Sequence, residues 1–263
     1  MTDTDDFERR FGGILRLYGQ AAFERFQQAH VCVVGVGGVG SWAAEALARS
    51  AVGRITLIDL DNVAVSNVNR QIQALGDEFG KAKVAAMAAR IHAINPRCVV
   101  TQVEEFVTAD NLDAMLGRDY DFVIDAIDSA RVKAAMIAWC KRNKVKLITS
   151  GGAGGRIDPT RIQVADLSRT VQDPLLSRVR TLLRREYGFA KDSEKTDAKM
   201  KFGVECVFSA EPLKMPTSDA ACDVDEAAHP AGLNCAGYGS SMTITATFGL
   251  MMVARVLQQL TQV

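Results

Sequence analysis

Residues 31–54 read VCVVGVGGVGSWAAEALARSAVGR, and this stretch decides the fold. Four apolar or β-prone residues run into a glycine-rich turn, and apolar residues then recur at the spacing of one helix face. This pattern predicts a strand, a turn and a helix in succession. Glycines suit such a turn because a Cβ would hold the backbone away from a phosphate, and the new helix directs free N–H groups at an anion. The stretch therefore predicts a nucleotide site.

The turn itself contains Gly35, Gly37, Gly38 and Gly40. Such a glycine pattern is weak alone, but here a strand precedes it and a helix follows it, as the motif requires. The alternative is a tight turn without a ligand. The next predicted strand, residues 54–59, ends in Asp59, and an acid at that strand end reaches a ribose hydroxyl in dinucleotide and ATP folds alike.

Strands and helices alternate along the chain up to residue 150. We predict strands at 98–103, 121–126 and 146–150 and helices at 81–94, 110–116 and 131–143. This alternation predicts an α/β fold with a mainly parallel sheet and right-handed crossovers, of the Rossmann-like type. The chain, residues 1–263, is interpreted as a single domain.

The segments before the first strand and after residue 150 do not show this alternation of strands and helices. Before the first strand, residues 7–28 predict a helix interrupted at Gly12-Gly13 and at Gly19. After residue 150 we expect an antiparallel pair whose second strand is 161–167, so the parallel sheet continues with antiparallel strands. The remaining predicted elements are a helix at 174–187, a strand at 204–209 and a terminal helix at 238–260.

Charge is balanced over the whole chain but not along it. Lys and Arg number 31 and Asp and Glu number 31, so the net charge is zero. The whole-chain field therefore neither favours nor excludes nucleic acid. A basic segment at 178–201 contains Arg178, Arg180, Arg184 and Arg185, and residues 188–202 predict a mobile basic loop. That segment suits either a solvated surface or an arm that binds nucleic acid.

The cysteines and the terminal segments indicate the compartment. Six cysteines are scattered without any C-x-x-C pair, which excludes a disulfide framework and a zinc ribbon. The acidic, polar N-terminus is unlike a secretory signal peptide. Residues 235–254 carry no charge, but their serines, threonines and glycines favour a buried helix over a membrane span. We therefore expect a cytoplasmic protein without a membrane partner.

The residues after Asp59 point to a particular chemistry. An adenylating enzyme must stabilise charge that develops on a departing pyrophosphate, which requires cations aimed at the β and γ phosphates. Arg70 and Lys83 are candidates for that role. An NAD-dependent oxidoreductase would explain the glycine turn and Asp59, but would leave both cations idle. Each cation could also be an ordinary surface charge.

Asp128 follows the fourth predicted strand, where ligands collect in open α/β sheets. Its carboxylate could hold Mg²⁺ that bridges the phosphates. Asp128 could equally be the N-cap of the helix at 131–143, and the two roles can coexist.

The motifs GVGGVGS, LIDLDNVAVSNVNRQ, GKAKV and DAIDS together resemble the ATP-binding signature of the ubiquitin-activating (E1-like) superfamily. That superfamily includes the molybdopterin and thiamine biosynthesis adenylyltransferases, also called the ThiF type. The resemblance implies catalytic roles for Arg70, Lys83 and the metal ligand Asp128. It implies contacts to ATP by Gly35, Gly37, Gly38, Gly40, Asp59, Asp61, Asn67 and Gln71.

Two departures separate this chain from the sulfur-transfer members of the superfamily. Those members usually carry two zinc-binding C-x-x-C pairs, which are missing here. Their N-terminal R-Y-x-R element, which lends an arginine to the partner subunit's ATP, appears here as Arg10-Phe11-Gly12-Gly13. The second arginine is lost, and Arg16 is the candidate substitute.

Further motifs resemble one branch, the tRNA threonylcarbamoyladenosine dehydratases. They include RFGGILRLYG, NVNRQIQAL, TSGGAGGRIDPTRIQVADL and VECVFSAE, and the match runs from residue 10 to about residue 257. The resemblance implies ATP-dependent cyclisation of N6-threonylcarbamoyladenosine in tRNA by a homodimer that uses ATP and Mg²⁺. It leaves open a monovalent cation and a cysteine-desulfurase sulfur-acceptor protein as partner.

The implied chemistry is coherent. A carboxylate is a poor electrophile, so the threonyl carboxylate would attack the α-phosphate of ATP and form an acyl-adenylate. The neighbouring carbamoyl group would then close a five-membered ring and expel AMP. Because this nucleophile is held on the substrate, no enzyme thiol is obligatory, and Cys206 and Cys235 are expected to be small packed residues.

Three alternatives follow from the same residues. The nearest is adenylation of the C-terminal glycine of a sulfur-carrier protein, which keeps the fold and changes the substrate. The others are the oxidoreductase and a non-catalytic tRNA-binding module. Within the branch, the glycine-rich loop at 151–156 is expected to face the substrate, with Arg156 near the tRNA or its modified base.

Overall fold

The computed structural model describes residues 3–190, 201–215 and 238–261. The strands are β1 (His30–Val34), β2 (Arg54–Ile58), β3 (Val99–Val103), β4 (Phe122–Asp125), β5 (Leu147–Ser150), β6 (Ile162–Asp166) and β7 (Glu205–Ser209). The helices are α1 (Asp3–Tyr18), α2 (Gln20–Gln28), α3 (Gly40–Arg49), α4 (Lys83–Ile94), α5 (Leu112–Leu116), α6 (Ala130–Arg142), α7 (Pro174–Glu186) and α8 (Met242–Thr261).

The strands form one seven-stranded sheet in the order β3-β2-β1-β4-β5-β7-β6. All neighbours are parallel except β6 and β7, which are antiparallel. The predicted α/β class, with a mainly parallel sheet continued by an antiparallel strand, is confirmed. The chain leaves β1 toward β2 and β3 and then returns to β4 on the other side, so the strand order reverses beside β1. Ligands of open α/β sheets bind at such a reversal.

The antiparallel pairing differs from the expected one. The sequence suggested that β6 pairs with the segment just before it, but β6 pairs with β7, some 40 residues later, and β7 lies parallel to β5. A pairing over that separation leaves no turn signal in the local sequence. Asp166 at the end of β6 reinforces it, because its carboxylate accepts hydrogen bonds from the backbone N–H groups of Phe202 and Gly203.

The N-terminal helices also differ in one detail. Gly12-Gly13 was expected to interrupt the helix, but α1 continues through it, and only Gly19, with φ of +83°, separates α1 from α2. Isolated glycines cost a helix only about 1 kcal/mol each relative to alanine. The burial of Phe7 and Phe11 against Phe23 offsets that cost.

Helix α8 belongs to the core, as the uncharged C-terminal segment predicted. Ile244, Phe248, Met252 and Val256 are fully buried and share the main hydrophobic cluster with α3 and β1. Gly249 allows a close crossing with α3, because a Cβ there would lie 2.5 Å from the Val39 carbonyl oxygen. No helix within the described ranges combines the length and the apolarity that crossing a membrane requires.

Two expectations fall outside the described residues. Positions 191–200 make up most of the predicted basic loop at 188–202, and Cys235 lies in the range 216–237. Both stay predictions.

Candidate nucleotide-binding site

A cavity of about 610 Å³ opens at the carboxyl ends of β1, β2, β4 and β5, where the strand order reverses. Ten of the eleven residues proposed from the sequence line it, although they come from five separate segments. They are Gly35, Gly37, Gly38, Asp59, Asp61, Asn67, Arg70, Gln71, Lys83 and Asp128. The eleventh, Gly40, is not part of the lining.

The glycine turn is shaped by two close approaches. Gly35 has φ of +86°, a conformation that other residues rarely adopt, and its Cβ position lies 3.1 Å from the Ala126 backbone. A Cβ on Gly40 would lie only 1.8 Å from the Gly35 carbonyl oxygen. Gly40 therefore packs the first turn of α3 onto the loop. At Gly37, by contrast, no heavy atom lies within 4 Å of the Cβ position.

We expect Gly40→Ala and Gly37→Ala to have opposite consequences. The alanine methyl at position 40 has no space, so this variant should lose about 1–3 kcal/mol of stability or more, or should fail to fold. The methyl at position 37 points into open space at the cavity wall, so that variant should unfold like the wild type but bind ATP more weakly. Thermal unfolding and ATP titration of both proteins test this contrast, and normal stability of Gly40→Ala would contradict it.

Asp59 is 8% exposed and its carboxylate organises the turn. One oxygen accepts a hydrogen bond of 2.6 Å from the Val36 N–H, and the other accepts one of 2.9 Å from the Asp61 N–H. Burial raises the pKa of Asp59 above its ordinary value, while the Lys83 ammonium and these two N–H groups act in the opposite direction. The carboxylate faces the cavity at the strand end where the sequence predicted a ribose contact.

Lys83 begins α4, and only 8% of its side chain is exposed. Its Nζ lies 2.6 Å from Asp61 Oδ2 and 3.8 Å from Asp59 Oδ1. The ammonium is therefore fixed at the cavity wall by two carboxylates. Because its side chain is buried, Lys83 is not an ordinary surface charge. The two carboxylates leave its ammonium one position to offer a ligand.

Arg70 also faces the cavity, but it is held differently. Its Nη1 donates to the carbonyl oxygen of Ser66 and to Asn69 Oδ1, at 2.6 and 2.9 Å. Among the described residues no carboxylate forms an ion pair with it, and burial lowers the pKa of its guanidinium. Trp42 Nε1 donates to the Arg70 carbonyl oxygen at 2.9 Å, which ties this backbone to α3. The charge thus has a fixed place, and no carboxylate in the described part of the chain neutralises it.

Two amide side chains complete this wall. Asn67 is buried, and its Oδ1 accepts a hydrogen bond from the Ala64 N–H at 3.0 Å. That leaves its NH₂ group as the end able to meet a ligand. Gln71 is also buried and accepts a hydrogen bond from Gln73 through Oε1.

Asp128 lies in the loop between β4 and α6, and its side chain is exposed to the cavity. It is not the N-cap, since that position belongs to Ser129 and no side chain caps the helix. Behind the loop, Asp125 and Lys133 form a fully buried ion pair of 2.8 Å. The described residues hold no group of three or more metal-ligating side chains. Asp128 is thus a single carboxylate presented to a ligand.

Sequence reasoning missed the apolar end of the cavity. Phe106, Val107 and Thr108, after β3, line it together with Ile127 and Val132. Phe106, Val107 and Thr108 belong to no motif, and the parallel pairing of β2 and β3 brings their loop to the edge of the sheet where Asp59 lies.

The expected role of Arg156 is corrected by the structure. Its side chain is fully buried, and its guanidinium donates to the carbonyl oxygens of Gly152, Gln172 and Glu211 and lies 3.6 Å from Asp173 Oδ2. It therefore cannot reach a tRNA. It holds the loop 151–156 in place instead, and glycines of that loop do line the cavity, as expected.

The described cysteines are packed residues. Cys206 is fully buried, and burial raises the pKa of its thiol well above the ordinary value. A thiol in this state is a poor nucleophile. Cys32, Cys98 and Cys140 are likewise free and buried.

With this geometry established, comparison with known proteins gives the class. The chain matches the ThiF family model over residues 11–263. It belongs to the ThiF family.

Within that family, its similarity is to tRNA threonylcarbamoyladenosine dehydratases. The Escherichia coli enzyme of that name is 53% identical over 98% of this chain and 95% of its own length. The Haemophilus influenzae enzyme is 49% identical over 99% of this chain and 96% of its own length. The crystal structure of the E. coli enzyme in complex with ATP superposes with a TM-score of 0.86 at 50% identity, covering 99% and 97% of the two chains.

Proposed function

We propose that the protein cyclises N6-threonylcarbamoyladenosine in tRNA at the expense of ATP, releasing AMP and pyrophosphate. The observation that carries this proposal is the meeting of Arg70, Lys83 and Asp128 with the glycine turn in one cavity. A protein that binds an intact pyrophosphate needs no such cations. The similarity over the full length to two dehydratases supports the choice of substrate.

The cavity suits ATP in a defined orientation. The apolar part of the lining, which includes Val107, Ile127 and Val132, matches a purine ring, and Asp59 and the glycine turn line the same cavity. Asp59 then accepts from the ribose, while the N–H groups at the start of α3 meet the phosphates. Arg70 and Lys83 take the β and γ phosphates.

The reaction proceeds in two steps. The threonyl carboxylate attacks the α-phosphorus, the bond to the β-phosphate breaks, and Arg70 and Lys83 stabilise the negative charge on the leaving pyrophosphate. The carbamoyl group of the same nucleoside then attacks the activated carbonyl carbon, and AMP leaves as the five-membered ring closes. Over both steps the nucleoside loses one water, whose oxygen ends in AMP.

Mg²⁺ fits this site through Asp128, an exposed carboxylate that is not used as a helix cap. Mg²⁺ commonly takes one or two carboxylates together with substrate phosphates and waters, so a single acid is a sufficient protein ligand. When bound, it neutralises charge on the phosphate oxygens. The chain's own contribution is to place Asp128 on a loop anchored by the buried Asp125 and Lys133 pair. On the resemblance alone, we also propose that the site binds a monovalent cation.

We expect Asp128→Asn to raise the Mg²⁺ concentration required for half-maximal adenylation by about tenfold or more, because a neutral amide is a weak Mg²⁺ ligand. The measurement is a Mg²⁺ titration of ATP–pyrophosphate exchange. Asp77→Asn, at an exposed acid outside the cavity, is the matched control. An unchanged Mg²⁺ requirement would remove Asp128 from the metal site.

For the tRNA contact we propose α7 and the basic segment at 188–202, which the sequence predicts to be a loop. Arg180 and Arg184 are half-buried and engaged, with Thr170 and with the Ala190 carbonyl oxygen respectively. Arg178 and Arg185 are exposed, and seven residues place them two turns apart on one helix face. This pair presents two charges in a row to a phosphate backbone.

We expect Arg178→Glu with Arg185→Glu to weaken tRNA binding and to flatten the slope of log K against log salt by about one unit per lost phosphate contact. ATP affinity should not change. The measurement is tRNA binding over a salt series. A salt slope equal to that of the wild type would show that α7 is only a solvated helix face. The exposed Arg161 would then be the next candidate for the tRNA contact.

A homodimer is our proposal for the assembly. The sequence suggested it from the apolar residues of 7–28 and of the terminal helix, but Phe7, Phe11 and most apolar residues of α8 are buried within the subunit. The support that remains for a homodimer is an exposed apolar residue beside an exposed arginine: Leu17 is 75% exposed, and Arg16 precedes it. The first arginine of the N-terminal element, Arg10, donates hydrogen bonds to the carbonyl oxygens of Ala93 and Ile94 at the end of α4, so Arg16 is the candidate to reach the partner subunit's ATP. Light scattering at micromolar concentration is the measurement.

The cytoplasm is the proposed location, where tRNA is found and thiols such as those of Cys32 and Cys98 stay reduced. On the resemblance alone, we also propose a sulfur-acceptor protein of a cysteine desulfurase as a partner.

The alternative, adenylation of a sulfur-carrier protein, requires the same ATP site and differs in the carboxylate. ATP–pyrophosphate exchange separates the two. We expect stimulation by tRNA that carries the threonylcarbamoyl group, and none by a carrier protein ending in glycine. The reverse result would assign the protein to carrier activation, and exchange with neither would leave ATP binding without adenylation.

A further inference from the structure

Gln73 is a buried residue that no step described above uses. It is 2% exposed and lies between the glycine turn and Gln71, which lines the cavity. Its Nε2 donates to the carbonyl oxygen of Val36 at 2.9 Å and to Gln71 Oε1 at 3.2 Å. Its own Oε1 is buried and finds no hydrogen-bond donor among the described residues. A buried amide with one unpaired end calls for an explanation, and the contacts of its other end supply one.

The contacts fix the orientation of two amide groups in sequence. A carbonyl oxygen can only accept, so the end of the Gln73 amide that faces Val36 must be the NH₂ group. The second hydrogen of that group faces Gln71, so the end of Gln71 that meets it must be the oxygen. Both hydrogens of Gln73 Nε2 are then used. The NH₂ group of Gln71 is consequently the end that remains for a ligand in the cavity.

The same contact also secures the glycine turn. The Val36 N–H is held by Asp59 at 2.6 Å, and the Val36 carbonyl oxygen is held by Gln73 at 2.9 Å. The peptide groups on both sides of Val36 are therefore pinned from opposite directions, one by the end of β2 and one by the loop that carries Arg70.

We propose that Gln73 is a positioning residue for ATP: it turns the amide of Gln71 so that the NH₂ group, not the oxygen, meets the phosphates. Phosphate oxygens only accept hydrogen bonds, and an inverted Gln71 would set an oxygen against them. This inference rests on the ATP site of the proposed function. It adds the residue that orients the Gln71 side chain in the lining of that site.

The test is a double-mutant cycle in ATP affinity, measured by titration calorimetry without tRNA. Gln73→Met and Gln71→Met each keep the side-chain length and remove the amide, and each should weaken ATP binding by about tenfold. If Gln73 acts through Gln71, the double variant should bind ATP no more than about twofold more weakly than the weaker single variant. Losses that multiply to about a hundredfold would show that Gln73 affects ATP through its Val36 contact and not through Gln71, which would overturn the proposal.

Unfolding temperatures and two further variants separate a direct effect on ATP binding from a loss of folded protein. Gln73→Asn keeps an amide that is too short to reach both acceptors, and it should weaken ATP binding even if Gln73→Met folds poorly. Gln163→Met, at an exposed glutamine on β6, is the matched control and should change neither property. ATP affinity within twofold of wild type in both Gln73 variants would assign Gln73 to the fold alone. Failure of the wild type to bind ATP would instead reject the proposed function.

Discussion

Replacing Arg70 with alanine is expected to slow adenylate formation by about 10²- to 10³-fold while ATP still binds. Arg70 is fixed at the cavity by hydrogen bonds to Ser66 and Asn69, and within the described residues no carboxylate pairs with its charge. Such a charge contributes most where new negative charge appears, which is on the leaving pyrophosphate. The loss should therefore fall on turnover and much less on ATP affinity.

The measurement is the rate of ATP–pyrophosphate exchange beside ATP affinity from calorimetry. Arg142→Ala is the matched control, since Arg142 is an exposed arginine at the far end of α6. A loss in turnover below about tenfold, roughly 1.4 kcal/mol, would make Arg70 a structural residue.

Lys83→Met should slow adenylation to a similar degree and should also change the pH dependence of the free energy of unfolding. Lys83 supplies the ammonium between Asp59 and Asp61, and burial already raises the pKa of Asp59. Without the ammonium this pKa should rise further. A carboxyl group whose pKa is raised in the folded state favours folding while it is protonated, so the variant should gain stability relative to the wild type as the pH falls.

This second prediction is tested by thermal unfolding over a pH series together with the exchange assay. Lys81→Met is the control, because Lys81 lies two residues earlier, is exposed and pairs with Glu78 at the surface. Near-normal exchange in Lys83→Met would exclude Lys83 from the chemistry. Equal pH profiles of the variant and the wild type would show that Asp59 does not depend on it.

Much of the site could be predicted because its signals are local. The glycine turn, Asp59 and Lys83 each stand at the boundary of an element whose hydrophobic pattern is strong. Parallel strands bring such boundaries to one edge of the sheet, so residues far apart in the chain meet without any long-range information. Ten of the eleven residues proposed therefore line one cavity.

What could not be predicted depends on contacts distant in sequence. The sequence gives no sign that Arg156 is buried against Asp173, or that β6 pairs with β7. Gln73 looks like any polar loop residue until Val36 and Gln71 are seen beside it. Gly40 was proposed as a phosphate contact by position in the motif, and only the 1.8 Å approach to Gly35 shows its packing role.

The central claim is that this cavity activates a carboxylate on a tRNA nucleoside. Mass spectrometry of nucleosides from tRNA incubated with the protein, ATP and Mg²⁺ tests it most directly. We predict that N6-threonylcarbamoyladenosine converts to a product lighter by one water, with one AMP formed per nucleoside, and that Arg70→Ala prevents the conversion. An unchanged nucleoside in the presence of active ATP–pyrophosphate exchange would contradict the account.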